Sequence, residues 1–151
     1  MGDVGNDIQI YGNKLYAIIN CSHFVEVMNV ETAKHITQIS IPNCRYIVFK
    51  DKYAYVSSYA GPVKIDPNAR LGYVARVDTT TLTVKDTCVV GYQPEEMVIV
   101  GNKLYVANSG GYRVPNYDRT VSVIDLNTFK VIKTIDVGIN LHRMELDLSL
   151  I

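Results

Sequence analysis

The sequence predicts an all-β fold: a segment of β-propeller made of three four-stranded antiparallel blades plus one extra strand start. Three observations carry this. The composition favours strands, with 11 tyrosines, no tryptophan, and valine, isoleucine and threonine throughout. Apolar residues alternate with polar ones, and no stretch follows a helical period. The chain also repeats itself with a period of 49 and then 47 residues, read from Asn29 to Asp78 to Asp125. A period in the forties built from strands is what propeller blades produce.

The repeat is explicit. Gly101-Asn102-Lys103-Leu104-Tyr105-Val106-Ala107-Asn108 aligns without gaps on Gly12-Asn13-Lys14-Leu15-Tyr16-Ala17-Ile18-Ile19 and on Asp51-Lys52-Tyr53-Ala54-Tyr55-Val56-Ser57-Ser58. Val121 to Gly138 aligns on Val74 to Gly91, placing Asp125 on Asp78 and Thr128 on Thr81. Asn29-Val30-Glu31-Thr32 holds the same place in the first unit. The units are expected at 7–43, 44–93 and 94–140, with 141–151 beginning a fourth.

Each unit reads as strands A to D. Strand A is expected near Ile8–Tyr11, Ile47–Lys50 and Met97–Val100. A two-residue turn follows, at Gly12-Asn13 or Gly101-Asn102, where glycine and asparagine accept positive φ. Strand B is the Leu-Tyr-Val segment. Strand C ends at Arg76-Val77 or Val123-Ile124. The turn after it opens on Asp78 or Asp125, whose carboxylate can accept a backbone hydrogen bond two residues on. Strand D alternates apolar residues: Ile39 and Ile41, Cys88 and Val90, Ile135 and Val137. Gly61-Pro62 and Asp66-Pro67-Asn68 fall in a loop inside the second unit.

Strand direction reverses at every turn, so the A–B and C–D turns share one end and the B–C and D–A loops the other. The second end carries the length: about four residues join B to C in unit one, about fifteen in unit two (Tyr59–Tyr73) and about twelve in unit three (Ser109–Thr120). Long loops on a rigid scaffold are where binding resides. This face offers Asp66, Asn68, Arg70 and Tyr73 from unit two. From unit three it offers Tyr112, Arg113, Asn116, Tyr117, Asp118 and Arg119. Tyrosine and arginine are the side chains that anchor binding surfaces. Tyr112, Arg113 and Tyr117 are the expected ligand-binding residues here; the competing reading is solvated loop residues packing on their neighbours.

Strand A lines the central channel of a propeller. At its mouth the copies carry Asp7, Tyr46, Glu96 and Arg143, flanked by Arg45, Glu95 and His142. Tyr46, Glu96, His142 and Arg143 are therefore expected to meet a small polar ligand or ion. The competing reading is a ring of charges that pairs only with itself.

The units resemble the YncE-like or YVTN β-propeller repeat proteins, and in particular the surface-layer-type members of gut Bacteroidetes. The resemblance rests on Tyr105-Val106-Ala107-Asn108-Ser109, Tyr55-Val56-Ser57-Ser58, the block Val121 to Thr128, Asp7-Ile8-Gln9-Ile10-Tyr11-Gly12 and Gly138 to Met144. It implies a seven-bladed propeller, usually exported, with no agreed enzymatic activity. A ring needs at least four blades, and Leu148-Ser149-Leu150-Ile151 lacks the Gly-Asn-Lys turn that should follow strand A. The expectation is a truncated chain whose terminal blades leave open edges, inviting self-association.

Composition and motifs narrow the function. With 15 basic and 15 acidic residues in 151, the net charge is zero, which disfavours a nucleic-acid or anionic-membrane binder. No apolar run is long enough for a transmembrane helix, and no signal-peptide pattern opens the chain; Met1-Gly2-Asp3 reads as the start of a mature domain. Cys21, Cys44 and Cys88 give no disulfide or zinc framework. Cys21 and His23 lack further metal or catalytic partners nearby, Cys88 takes a core position, and His35 begins an exposed strand. No phosphate loop, nucleophile elbow or calcium loop is present. Catalytic residues, metal and cofactor are expected to be none. The leading reading is a non-catalytic scaffold binding a protein, glycan or small molecule at the cell surface, its parent exported. The alternative is part of a propeller enzyme of lyase or redox type using His142, Arg143 and Glu96 at the channel mouth.

Overall fold

The structure, a computed structural model, describes residues 3–139 and 141–145. Twelve strands form three sheets of four. The first holds β1 (Gly5–Tyr11), β2 (Lys14–Ile19), β3 (Phe24–Asn29) and β4 (His35–Ser40). The second holds β5 (Cys44–Lys50), β6 (Tyr53–Ser58), β7 (Tyr73–Asp78) and β8 (Thr83–Val89). The third holds β9 (Pro94–Val100), β10 (Lys103–Asn108), β11 (Thr120–Asp125) and β12 (Lys130–Asp136). Each sheet is an antiparallel meander in sequence order. The described residues contain no helix, so none is long and apolar enough to cross a membrane.

The inner strands begin earlier than the alternation alone indicates, because each blade has a register irregularity there. It falls between Gly5 and Asp7, between Cys44 and Ile47, and opposite Val106–Asn108. One extra residue breaks the period-two pattern without ending the strand. Pro94 occupies the first position of β9, where its missing N–H does no harm.

Turn geometry repeats from blade to blade. Gly12, Asp51 and Gly101 open the A–B turns with φ of 60°, 53° and 57°. Only the first residue of each pair is left-handed, so aspartate serves in the second blade where glycine serves in the others. At the C–D turns Asn29, Asp78 and Asp125 each accept two backbone N–H groups through Oδ1, at 2.8–3.0 Å. Ala33, Leu82 and Phe129 end these turns with φ of 51–55°. Asn13, Lys52 and Asn102 each accept the N–H opening the C–D turn, binding the two short turns at one end. At the other end, Val4, Asn43 and Gln93 are left-handed, and their carbonyls accept the N–H groups of Asn20, Tyr59 and Ser109.

Two cores lie between the blades. Tyr16, Ile18, Val25, Val27, Ile39 and Ile41 of blade one meet Ile47, Phe49, Ala54, Val56, Ala75 and Val77 of blade two. Phe49 stacks on Tyr11 with centroids 4.5 Å apart. Tyr55, Val74, Cys88 and Val90 of blade two meet Met97, Leu104, Val106, Ile124, Leu126 and Phe129 of blade three. Burying each such aliphatic side chain contributes about 1.5–3 kcal/mol.

The two outer blade faces carry the same pattern uncovered. Ile8 stands where Ile47 and Met97 stand in the repeat; it is 61% exposed, against 2% and 6%. Val137 stands where Ile41 and Val90 stand; it is 51% exposed, against 1% and 6%. The strand-D alternation therefore buries its apolar residues in blades one and two but leaves Val137 open in blade three. Beyond β12, residues 141–145 carry no strand, yet they lie against β9: Glu96 N donates to His142 O at 3.2 Å, and Met144 N to Glu96 Oε2 at 3.0 Å. The remainder of the expected fourth blade, residues 146–151, lies outside the described residues, as does Asn140 at the expected end of the third.

Candidate functional site

At the channel mouth the structure brings Tyr46, Glu96 and Arg143 together with Asp7, as the repeat predicts. They line one cavity of about 380 Å³ with Gln9 and Glu145. The carboxylates here are engaged from blade to blade. Asp7 Oδ2 accepts the N–H of Ile47 on the next inner strand at 3.1 Å. Glu96 Oε2 performs the same service for Met144, and Arg143 pairs with Glu145. Burial pushes the Tyr46 phenol above its ordinary pKa, and the Glu95 and Glu96 carboxylates add to the rise. Tyr46 thus stays a neutral donor beside two acids. His142 stands to one side, about half exposed, with Nδ1 3.7 Å from Glu95 Oε1.

Glu95 was expected only as a flanking charge. It is 1% exposed and is the hub of the loop-bearing end. Arg45 Nε donates to its Oε2 at 3.1 Å, Tyr59 Oη donates to its Oε1, and Ser109 Oγ lies 3.4 Å from the same oxygen. The Arg45 guanidinium sits 4.8 Å from the centre of the Tyr59 ring. Burial drives the Tyr59 phenol well above the tyrosine range, reinforced by Glu95, so it remains a hydrogen-bond donor. Residues from β5, β9 and both long loops converge on one buried carboxylate.

The long loops, residues 59–72 and 109–119, are clasped to each other. Tyr112 sets its ring edge-on to Tyr59 at 6.3 Å. Its carbonyl accepts Asp66 N at 2.9 Å, and its N–H donates to Gln93 Oε1 at 2.7 Å. Arg113 lies 3.5 Å over the Tyr92 ring and donates to Ala69 O and Asn116 O. Asn116 Nδ2 reaches Pro67 O at 3.3 Å. Buried Asp118 accepts Tyr92 N at 2.7 Å and also caps Arg119 and Thr120. Gly91 is required beside it, because a Cβ there would meet Asp118 Oδ2 at 2.6 Å and Asn108 at 2.5 Å.

Of the expected loop residues, Tyr112 and Arg113 therefore shape the face as well as presenting side chains on it. Tyr117 is half-buried next to Gly110, and Tyr73 begins β7. Asp66, Asn68 and Arg70 line a second cavity, of about 230 Å³, together with Tyr59, Pro62 and Gln93. The sequence pattern missed Tyr59 and Gln93. Their signal was positional: the repeat places 59 on 20 and 109, and 93 on 4 and 43, and these positions meet across the loop end of every blade.

The cysteines are free; Cys21 is exposed, while Cys44 and Cys88 are buried. Burial raises the Cys44 thiol to about 11, opposed by backbone hydrogen bonds. His23 holds its loop by accepting Asn43 N at 3.2 Å through Nδ1. Among the described residues no group of three histidine, cysteine or acidic side chains is placed to hold a metal.

No family model matches the chain, and no curated protein sequence matches it. Solved structures do. BamB from Moraxella catarrhalis is similar with a TM-score of 0.70 and 12% identity, over 94% of this chain and 37% of that one. Hydrazine synthase from Kuenenia stuttgartiensis gives 0.68 and 20%, over 84% and 34%. Apo AztD from Citrobacter koseri gives 0.63 and 16%, over 91% and 34%. These are β-propeller proteins, and the chain spans about a third of each. At these identities the likeness establishes the propeller fold.

Proposed function

We propose that this chain is the part of a non-catalytic binding propeller that carries its recognition face, and that the face is built by the long loops of blades two and three. The observation that carries the reading is the clasp. Two loops that turn chemistry does not require are ordered by Tyr112, Arg113, Gln93 and Glu95 into one continuous surface. Among the described residues the opposite end holds only short turns bonded to one another. A pre-ordered loop surface lowers the entropic cost of association.

The engaged carboxylates of Asp7 and Glu96 support a channel mouth that holds blades together. On this reading Tyr46, Glu96, His142 and Arg143 contribute to ligand capture second to the loop face. The repeat blocks support membership of the YncE-like group and, with it, export of the parent to the periplasm, cell surface or medium. The partner is a protein, glycan or small molecule displayed there.

The test compares the two ends. Ligands retained by the parent protein are identified by cross-linking, then measured against Tyr112→Ala with Tyr117→Ala, and against Asn13→Ala with Asn102→Ala. Retention lost in the first pair and kept in the second is the expected result. The reverse pattern, or retention unchanged in both, overturns the assignment.

A further inference from the structure

We infer that the 230 Å³ cavity between the long loop of blade two and Gln93 is a subsite for a single neutral sugar unit. The inference rests on the loop-face reading and gives that face a ligand class.

Gln93 is the first observation. It is 2% exposed and lines the cavity. Its Oε1 accepts Tyr112 N at 2.7 Å, which fixes the amide orientation, since an N–H must meet the oxygen. Nε2 then has no hydrogen-bond partner among the described residues, so the donor Gln93 has left is available to the cavity it lines. That nitrogen is not sealed from solvent, so it can donate to a ligand oxygen placed in the cavity.

The other lining groups define what that ligand is. Arg70 brings a guanidinium that forms no ion pair among the described residues. Asp66 brings a carboxylate whose Oδ1 accepts Asn68 N at 2.9 Å, leaving its other oxygen to accept. Asn68 adds an exposed amide. Asp66 and Arg70 share the cavity without pairing. An anion would be drawn by Arg70 but would meet Asp66, and a cation would meet the reverse. Hydroxyl groups donate and accept at once, so a polyhydroxylated neutral ring satisfies Asp66, Arg70 and Gln93 together. Pro62 and the Tyr59 ring give the apolar walls for its C–H faces. The size suits one small unit; drug-sized ligands take about 300–1,000 Å³.

The experiment is saturation-transfer NMR and calorimetry on this chain. The probes are glucose, galactose, mannose and N-acetylglucosamine at millimolar concentration, with glycine and acetate as charged comparisons. At least one sugar is expected to bind, with Kd weakened about tenfold in Arg70→Ala. Arg70 is exposed and its removal leaves the fold intact; Gln93→Met, checked by circular dichroism, tests the buried donor. Binding by no sugar overturns the inference, as does sugar binding indifferent to Arg70→Ala. Binding of glycine or acetate in place of sugars overturns it in favour of a charged ligand. These outcomes are separate from the two-ended comparison, because the loop face can retain a protein partner with this cavity empty.

Discussion

Arg45 and Glu95 occupy the same position in consecutive repeats, and across the blade boundary Arg45 Nε donates to Glu95 Oε2 at 3.1 Å. A copying repeat would have placed like residues there. Opposite charges convert the position into a link between blades two and three, and both side chains are removed from water. Breaking such a pair from one side leaves a buried charge uncompensated. Glu95→Leu is expected to cost about 3–5 kcal/mol in urea unfolding. Adding Arg45→Met should recover the part of that loss due to the uncompensated charge, while the part due to Tyr59 Oη, left without its acceptor, remains.

The thiols give a pH signature. Cys44 is raised from 9.0 to about 11 by burial, so its neutral form is favoured in the folded state. Its contribution to stability is complete below pH 9, where both states keep the proton. It is lost as pH rises through 9 to 11, where only the unfolded chain ionises, and the loss approaches about 3 kcal/mol. Denaturant titrations across this range should show a shallower fall in Cys44→Ala. At neutral pH, thiol labelling of the folded chain should modify Cys21 alone, with Cys44 and Cys88 reacting after unfolding.

The uncovered blade faces predict association. Ile8 and Ile10 are each about 60% exposed, at positions that blades two and three bury or half-bury. A second copy of the chain offers the matching surface around Val137. Sedimentation of the isolated chain should show concentration-dependent assembly, and Ile8→Lys with Ile10→Lys should shift it toward the monomer. A monomer at all concentrations would count against this packing.

Much of this was legible in the residues. The repeat located the strands, the Asn29, Asp78 and Asp125 turns and the loop-bearing end, because each depends on local chemistry recurring at fixed spacing. That Asp7, Tyr46, Glu96 and Arg143 come together around one cavity was legible for the same reason. The roles within the loops were not. Arg113 reads as a free anchor in sequence, but it packs on Tyr92 and bonds to Ala69 O, a partner forty-four residues before it. Glu95 reads as one charge among several, and only tertiary convergence makes it the hub. Irregular loops lack a period, so nothing in the chain announces which partners they find.

Arg113 also gives a dynamic test. Its bond to Ala69 O joins loops 59–72 and 109–119, and its bond to Asn116 O braces the second loop. Arg113→Ala should speed limited proteolysis within both loops several-fold while changing global stability by only about 1 kcal/mol. Cleavage confined to 109–119 would mean that the loops are not coupled.

The central claim, that these two loops form the recognition face, is most directly tested by hydrogen exchange of the parent protein with and without its captured ligand. Added protection should fall on residues 59–72, 92–93 and 109–119. Protection falling on the turns at 12–13, 51–52 and 101–102 would contradict it.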